Sequence, residues 1–329
     1  MKNLPTTSLP AGVKDTLPEE AEQIASACAS VTEVFKSSGF ERVSTPLIEY
    51  LDVLSPGLDQ NLDNTAIKFI EYSTGKVMAI RPDVTPQIAR LVSTRLKDKP
   101  LPIKLFYIEN VMRMNRGSED KTVCETIQAG TELITKEAGP ETDAEIIITA
   151  IEALKKTGIK DFKVDLADIG FIRSIFARIE ASTESKKDIE KFIALKDTNG
   201  LSRAIDKAGG VTEDDKELLL SITTLYGEVE VIEAAEKLKG TKNALGNLKK
   251  VVEILTEKGY GEAITIDLGE VRGFDYYTGI IFEGFAEGYG KALLGGGRYD
   301  GLLTKYGMEA KSTGFAIDVE NVVELLQTR

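Results

Sequence analysis

The chain reads as an α+β protein, an antiparallel sheet flanked by helices and interrupted once by a helical insertion. Three observations predict this. Two long apolar stretches, 105–113 and 124–134, have strand character and flank a polar loop at 115–121, the pattern of an antiparallel pair. Amphipathic helices, one opening at Pro18 and one over 143–156, border them. From about Phe171 to Tyr260 the chain changes to Lys/Glu-rich helical segments, and strand character returns at 263–267 and 314–318.

Leu9 to Asp15 is rich in turn residues. Pro18 then suits the first position of a helix, with Glu19 and Glu20 in the first turn, where the unpaired amides favour carboxylates. Ile24, Cys28, Val31 and Phe35 recur at helical spacing, and Gly39 fits a left-handed residue just past the end. A strand over 40–45 ends at Pro46. A short apolar strand, Val77 to Ile80, runs into Arg81-Pro82-Asp83-Val84-Thr85-Pro86-Gln87-Ile88-Ala89-Arg90. Here Thr85 reads as an N-cap and Pro86 as the first helical residue, with Ile88, Leu91, Val92 and Leu96 as the buried stripe. Strand alternation puts Gln128, Gly130 and Glu132 on one face, and Gly130 leaves room for a ligand above the sheet. Helical segments follow at 185–195, 214–226, 229–238 and 245–258, and a last helix at 319–327. The division this implies is a first core part over 1–168, an insertion over 169–261, and a second core part over 262–329.

Lys and Arg number 41 against 53 Asp and Glu, a net charge of −12. That acidic balance argues against a nucleic-acid surface, which needs a basic face. The 42% apolar share supplies an ordinary core. With no apolar run of membrane length and no signal-peptide core, the expectation is a cytoplasmic protein with no membrane partner. Cys28 and Cys124 lack CxxC spacing and read as reduced and buried. The chain has no histidine. This excludes histidine bases, histidine metal ligands and histidine triads together, and neither metal nor cofactor is expected. The absence is either compositional drift or the mark of a protein that must be made when histidine is scarce.

Val271-Arg272-Gly273-Phe274-Asp275-Tyr276-Tyr277-Thr278-Gly279 and Gly295-Gly296-Gly297-Arg298-Tyr299-Asp300-Gly301-Leu302 carry the strongest chemical signal. An arginine can hold a carboxylate with two parallel bonds, tyrosines offer a flat face and a hydroxyl, and glycines admit close backbone approach. Together they suit a small zwitterion with a ring. The triple glycine also allows a simple turn, and no P-loop pattern accompanies it.

These two segments resemble the signature of the histidyl-tRNA synthetase family, and the helix–strand–proline run over 18–46 resembles the dimer-forming motif 1 of class II aminoacyl-tRNA synthetases. The resemblance implies a class II synthetase-like sheet and a histidine-binding set: Asp83, Thr85, Arg113, Gln128, Glu132, Arg272, Tyr276, Tyr277 and Tyr299. It implies that Asp83, Thr85 and Gln128 receive the ammonium, Arg113 and Arg272 the carboxylate, and Glu132 with a tyrosine hydroxyl the imidazole. Tyr276 and Tyr277 are expected on opposite faces, with Tyr277 the first choice and Tyr276 the alternative. Asp83 departs from the family's glutamate.

The adenylating machinery of such synthetases is altered. The motif 2 strand ends Arg113-Met114-Asn115 where the family has Arg-x-Glu, and its loop over 116–126 carries Glu119, Asp120 and Glu125 with no aromatic residue. Arg116 and Lys121 are cations kept in that loop. Asn321 stands where motif 3 has an arginine, and no anticodon-binding domain is expected after Arg329. These losses, with the Arg81–Arg90 sequence, resemble the ATP phosphoribosyltransferase regulatory subunits, over Leu9 to about Asp168 and Ile264 to about Leu326. That resemblance implies a non-catalytic subunit for the first step of histidine biosynthesis. It also implies a short-form catalytic partner, a class II-like dimer of this chain within a hetero-octamer, L-histidine as feedback effector, and no tRNA. The alternatives are a truncated synthetase-like enzyme that activates an amino acid for a non-tRNA acceptor, and a tRNA-binding scaffold.

Overall fold

The alternating apolar residues of the two long strands give the central sheet two covered faces, and the rest of the chain is arranged around them. The computed structural model describes residues 8–58, 60–114, 123–238, 241, 244–271, 273 and 276–328. In order, the first part forms α1 (Pro18–Ser37), β1 (Glu41–Arg42), β2 (Ile48–Tyr50), α2 (Leu51–Leu54), α3 (Gln60–Thr65), β3 (Lys68–Ile70), β4 (Val77–Ile80), α4 (Thr85–Arg95), β5 (Ile103–Met114), β6 (Val123–Thr135), α5 (Pro140–Lys156) and β7 (Phe162–Asp168). There follow α6 (Ile169–Phe176), α7 (Thr183–Ala194), α8 (Thr198–Ala208), α9 (Glu213–Ile222), β8 (Tyr226–Gly227), α10 (Glu230–Glu236) and α11 (Gly246–Glu257). The last part is β9 (Ile264–Asp267), β10 (Ile280–Ala286), β11 (Leu294–Arg298), β12 (Lys311–Asp318) and α12 (Val319–Thr328).

A nine-stranded sheet has the order β1-β5-β6-β12-β11-β10-β7-β9-β8, and β2-β4-β3 form a small second sheet. The large sheet is mixed: β1 runs parallel to β5 and β7 parallel to β9, while its other pairs are antiparallel. Phe106, Ala129, Leu133, Phe315 and Ile317 project from one face into a core shared with Val31 and Phe35 of α1, Ile147 of α5 and Val322 of α12. Leu105 and Tyr107 project from the other face and pack with Ile88 and Val92 of α4. The helical segment after β7 does not stand apart from this core. Its Ile172, Leu219 and Leu248 belong to the same apolar cluster, and its β8 extends the sheet edge by pairing with β9.

Pro18 and Glu19–Glu20 begin α1 as expected, and Gly39 takes a φ of 83° just beyond its end. Other expectations are corrected. The strand foreseen over 40–45 is two residues long, because the polar groups of Thr45 are taken elsewhere: its carbonyl accepts from Arg81 at 2.9 Å and its hydroxyl donates to Gln87 at 2.7 Å. Tyr226 lies in β8, not at a helix end. Cys124 is exposed, and both cysteines are free thiols. The triple glycine is strand β11, not a turn, and it lies between β10 and β12. Among the described residues no helix is long and apolar enough to cross a membrane.

Two arginines brace the segment that leads into α4. Arg81 is buried; its Nε donates to the Asn110 carbonyl at 2.6 Å and its Nη2 meets Glu109 at 2.7 Å. Arg90 holds Glu49 with two bonds, at 2.5 and 3.1 Å. Residues 81–90 are thereby tied to β5 on one side and to β2 on the other, which fixes Asp83 and Thr85 over the sheet.

A Cβ at Gly296 would stand 2.5 Å from Phe315 Cβ and overlap the Gly314 carbonyl. Gly296→Ala is therefore expected to lower the unfolding free energy by about 3 kcal/mol, measured by urea denaturation, since a packed strand centre cannot absorb the methyl.

Candidate functional site

On one face of the large sheet a strip is nearly free of side chains. Tyr107, Gly130, Ala316, Gly295 and Glu283 follow one another across β5, β6, β12, β11 and β10, and Glu132, Gly314 and Gly297 form the next row. Paired residues in a sheet point to the same side. The small residues thus make a floor, and the polar residues at its margins face a common space. A cavity of 380 Å³ lies over it, lined by Asp83, Thr85, Arg113, Gln128, Tyr276, Tyr277 and Tyr299. The same cavity continues over Gly295 and Ala316 to Asp318 and Asn321. Arg272, and with it Asn115, Arg116, Glu119, Asp120 and Lys121 of the motif 2 region, lie outside the described residues.

Glu132 lies beneath the cavity wall, 2% exposed. The Thr85 hydroxyl donates to its Oε1 at 2.7 Å. Its Oε2 has no hydrogen-bond donor among the described residues. A Cβ added at Gly314 would run into that Oε2 and into the Tyr299 hydroxyl 2.5 Å away, so both atoms converge over one backbone position. The Tyr299 and Tyr276 hydroxyls and the Gln128 Oε1 are likewise buried without a partner among the described residues. Buried polar atoms are nearly always paired, so a cluster of unpaired ones around a cavity marks a place for a polar ligand. Burial, and then the Asp83 charge, pushes the Glu132 carboxyl well above the ordinary range, while the Thr85 bond works against the shift. Burial followed by Asp83 and Glu132 also raises the Tyr276 phenol well above its usual value.

Three details correct the sequence reading. Thr85 does not cap α4: it is the first residue of that helix, Val84 takes the cap position, and no side chain caps it. The Thr85 hydroxyl is therefore available to Glu132. Tyr276 and Tyr277 do not point to opposite faces, because they lie in a turn and not in a strand. Both amides donate to the Gly273 carbonyl, at 2.8 and 2.9 Å, and both rings enter the cavity. With Tyr299 they form one aromatic cluster, with ring centroids 5.1, 5.3 and 6.3 Å apart. The space over Gly130 is filled by a residue that sequence reasoning missed, Tyr107, whose hydroxyl and Cζ (2.5 Å) a Cβ there would strike. Tyr107 is fully buried, and its phenol is pushed well up by burial, Glu132 and Asp83. The signal was present: Tyr107 stands opposite Gly130 in an antiparallel pair.

At the far end, Asn321 is occupied by the protein itself. Its Nδ2 donates to the Ala292 carbonyl at 2.9 Å and its Oδ1 accepts from the Tyr289 hydroxyl at 3.2 Å. It closes the β10–β11 connection and adds no positive charge to the cavity. Among the described residues no cluster of acidic or thiol side chains could hold a metal.

The family model for histidyl-tRNA synthetase matches residues 12–322. An ATP phosphoribosyltransferase regulatory subunit from Geobacter metallireducens is 40% identical over 98% of this chain and 74% of its own length. Its counterpart from Geobacter sulfurreducens is 39% identical over 98% and 73%. The chain belongs to the ATP phosphoribosyltransferase regulatory subunit family. Members of that family are non-catalytic, and this chain is a regulatory one. A solved ATP phosphoribosyltransferase regulatory subunit/histidyl-tRNA synthetase from Bacillus halodurans superposes with a TM-score of 0.89 at 32% identity, covering 99% of this chain and 84% of the other. The fold is accordingly class II synthetase-like, with the mixed sheet described above.

A carboxyl whose proton is held more tightly in the folded than in the unfolded chain contributes stability that is complete below the unfolded value, 4.5, and fades as pH rises through the folded value. Glu132→Gln keeps the acceptor for Thr85 and removes the charge. Without added amino acid, the variant is expected to unfold at higher denaturant than the parent at pH 8, with the difference shrinking toward pH 4.5. An unchanged difference across that range would remove the assignment of a raised carboxyl.

Proposed function

We propose that the chain serves as the histidine-sensing regulatory subunit of ATP phosphoribosyltransferase in histidine biosynthesis, with the cavity over Gly314 and Ala316 as its L-histidine site. The observation that carries this reading is the set of buried, unpaired polar atoms (Glu132 Oε2, Gln128 Oε1, and the Tyr276 and Tyr299 hydroxyls) gathered around one aromatic-walled cavity. An imidazole edge entering between the tyrosines would bring an N–H to Glu132 and supply the partner that its Oε2 lacks. The ammonium would meet Asp83, Thr85 and Gln128, and the carboxylate Arg113 with Arg272. The Tyr107 hydroxyl, over Gly130, is likewise buried without a hydrogen-bond partner among the described residues. Asp83, one carbon shorter than the glutamate of the synthetases, sits close enough to raise the Glu132 carboxyl, so the two acids share one ligand-facing field.

The family name carries a catalytic ATP phosphoribosyltransferase partner. We take that partner to be the short form, joined with dimers of this chain in a hetero-octamer. Pairing of two copies is supported by the small sheet β2-β4-β3 and the turn beyond it, which leave Ile48, Ile70, Tyr72 and Val77 exposed. Histidine bound in the cavity would inhibit by favouring one arrangement of the assembly over another, and only to the extent that it binds the two arrangements differently.

Calorimetric titration with L-histidine, with other amino acids as controls, tests the site. Selective binding is expected. Glu132→Ala should weaken it ~10- to 100-fold, about 1.5–3 kcal/mol, and abolish histidine inhibition while co-purification with the catalytic subunit persists. Loss of co-purification with the histidine response retained would break the assignment.

A further inference from the structure

The cavity ends against a tyrosine. Its lining follows β12 and β11 through Gly314, Ala316 and Gly295 and reaches β6 at Gln128. Gly130 of β6 stands opposite Ala316 and would extend that floor by one strand. The space over Gly130 belongs instead to Tyr107 of β5, its partner on the other side: a Cβ at Gly130 would stand 2.5 Å from the Tyr107 Cζ and would overlap its hydroxyl oxygen. The Tyr107 side chain is fully buried among Ile88, Val92 and Tyr299. Its hydroxyl nevertheless has no hydrogen-bond partner among the described residues. A phenylalanine would fill the same space without the cost of a buried, unpaired hydroxyl, so the oxygen calls for a purpose.

The register supplies one. Gln128, Gly130 and Glu132 follow one another on one face of β6, so the Tyr107 hydroxyl lies over the step between Gln128 and Glu132. Gly130 pairs with Ala316 and Glu132 with Gly314, which makes Gly130 and Gly314 diagonal neighbours, about 7–8 Å apart. The Glu132 Oε2 and the Tyr299 hydroxyl converge over Gly314, and the Tyr107 hydroxyl stands over Gly130. The site therefore has two polar ends, and neither satisfies the other, since all three oxygens are unpaired among the described residues. A five-membered ring with a hydrogen bond of about 2.9 Å at each end is of a size to join them.

We infer that Tyr107 is a specificity-determining residue of the cavity, whose hydroxyl hydrogen-bonds the ring nitrogen of the ligand that Glu132 does not reach. The assignment rests on the reading of the cavity as an L-histidine site. A phenol hydroxyl donates and accepts, so it can serve either nitrogen of an imidazole. Tyr107 suits this role because β5 is held between β1 and β6 within the sheet, whereas Tyr276 and Tyr277 are carried by a turn. A ring that lacks the second nitrogen leaves the hydroxyl unpaired, which is how a buried polar site rejects a near-isostere.

Tyr107→Phe keeps the ring and removes only the oxygen. Without ligand, its urea midpoint is expected at or above that of the parent, because no protein partner is lost. A clearly lower midpoint would reveal a structural hydrogen bond and overturn the assignment. In calorimetric titrations the variant should bind L-histidine about tenfold more weakly than the parent. Thienylalanine, whose five-membered ring has no nitrogen, should bind the two proteins alike, so that the preference for histidine falls; a general loosening of the site would weaken both ligands together and count against the inference. Tyr276→Phe should lower that preference less than Tyr107→Phe does, and the reverse order would transfer the ring contact to Tyr276. Parental affinity for histidine in Tyr107→Phe would overturn the role of Tyr107 and leave the cavity reading intact. A parent that binds no histidine would overturn the cavity reading and this assignment with it.

Discussion

The centre of the large sheet can exist only if side chains are absent from it. Gly130 yields its space to the Tyr107 ring, Gly314 to the meeting of Glu132 and Tyr299, and Gly296 to the backbone of β12. Each is a close approach that a methyl group would forbid. Gly130 and Gly314 face the cavity side, where Ala316, Gly295 and Gly297 continue the floor, while Gly296 faces Phe315 on the packed side. The packed opposite face supplies the stability, with Phe35, Phe106, Phe282 and Phe315 in mutual ring contact beneath the same strands. The sheet is thus a core on one side and a cavity on the other.

Electrostatics then give the cavity its character. Glu132 is buried beside a second acid, with one hydroxyl donor and no cation among its pKa-setting neighbours. In a protein interior this arrangement favours the neutral carboxyl. The arginines of the 81–90 segment do not relieve it. Arg81 and Arg90 are spent on Glu109 and Glu49, where they hold the loop and leave the cavity's field alone. Asn321 similarly serves the connection between β10 and β11. At the motif 3 position the side chain thus serves the structure, and polar and aromatic side chains line the cavity.

Much of this was legible in the chain. Periodicity located α1, α4, α5 and most of the later helices, because their apolar stripes face a large core. The two long strands and their antiparallel pairing followed from uninterrupted apolar alternation. The residues named for the proposed histidine site sit in short local segments of the sequence, and seven of the eight that are described line one cavity, with Glu132 just beneath it. The altered motif 3 position was readable for the same reason.

What only the tertiary structure decided were the partners of each side chain. Nothing local says whether a threonine before a proline caps its helix or reaches 47 residues along the chain to a buried glutamate. Nor could composition show that a triple glycine is a central strand, since glycine's freedom suits a turn equally well and the reason here is the neighbouring strand's backbone. Tyr107 looked like one more core aromatic until its register opposite Gly130 was known. The buried ion pair of Arg298 with Asp143 joins β11 to α5, 155 residues apart, and its existence depends on their packing. Local pattern fixed which groups the chain could offer, and long-range packing in a water-free interior fixed which of them met.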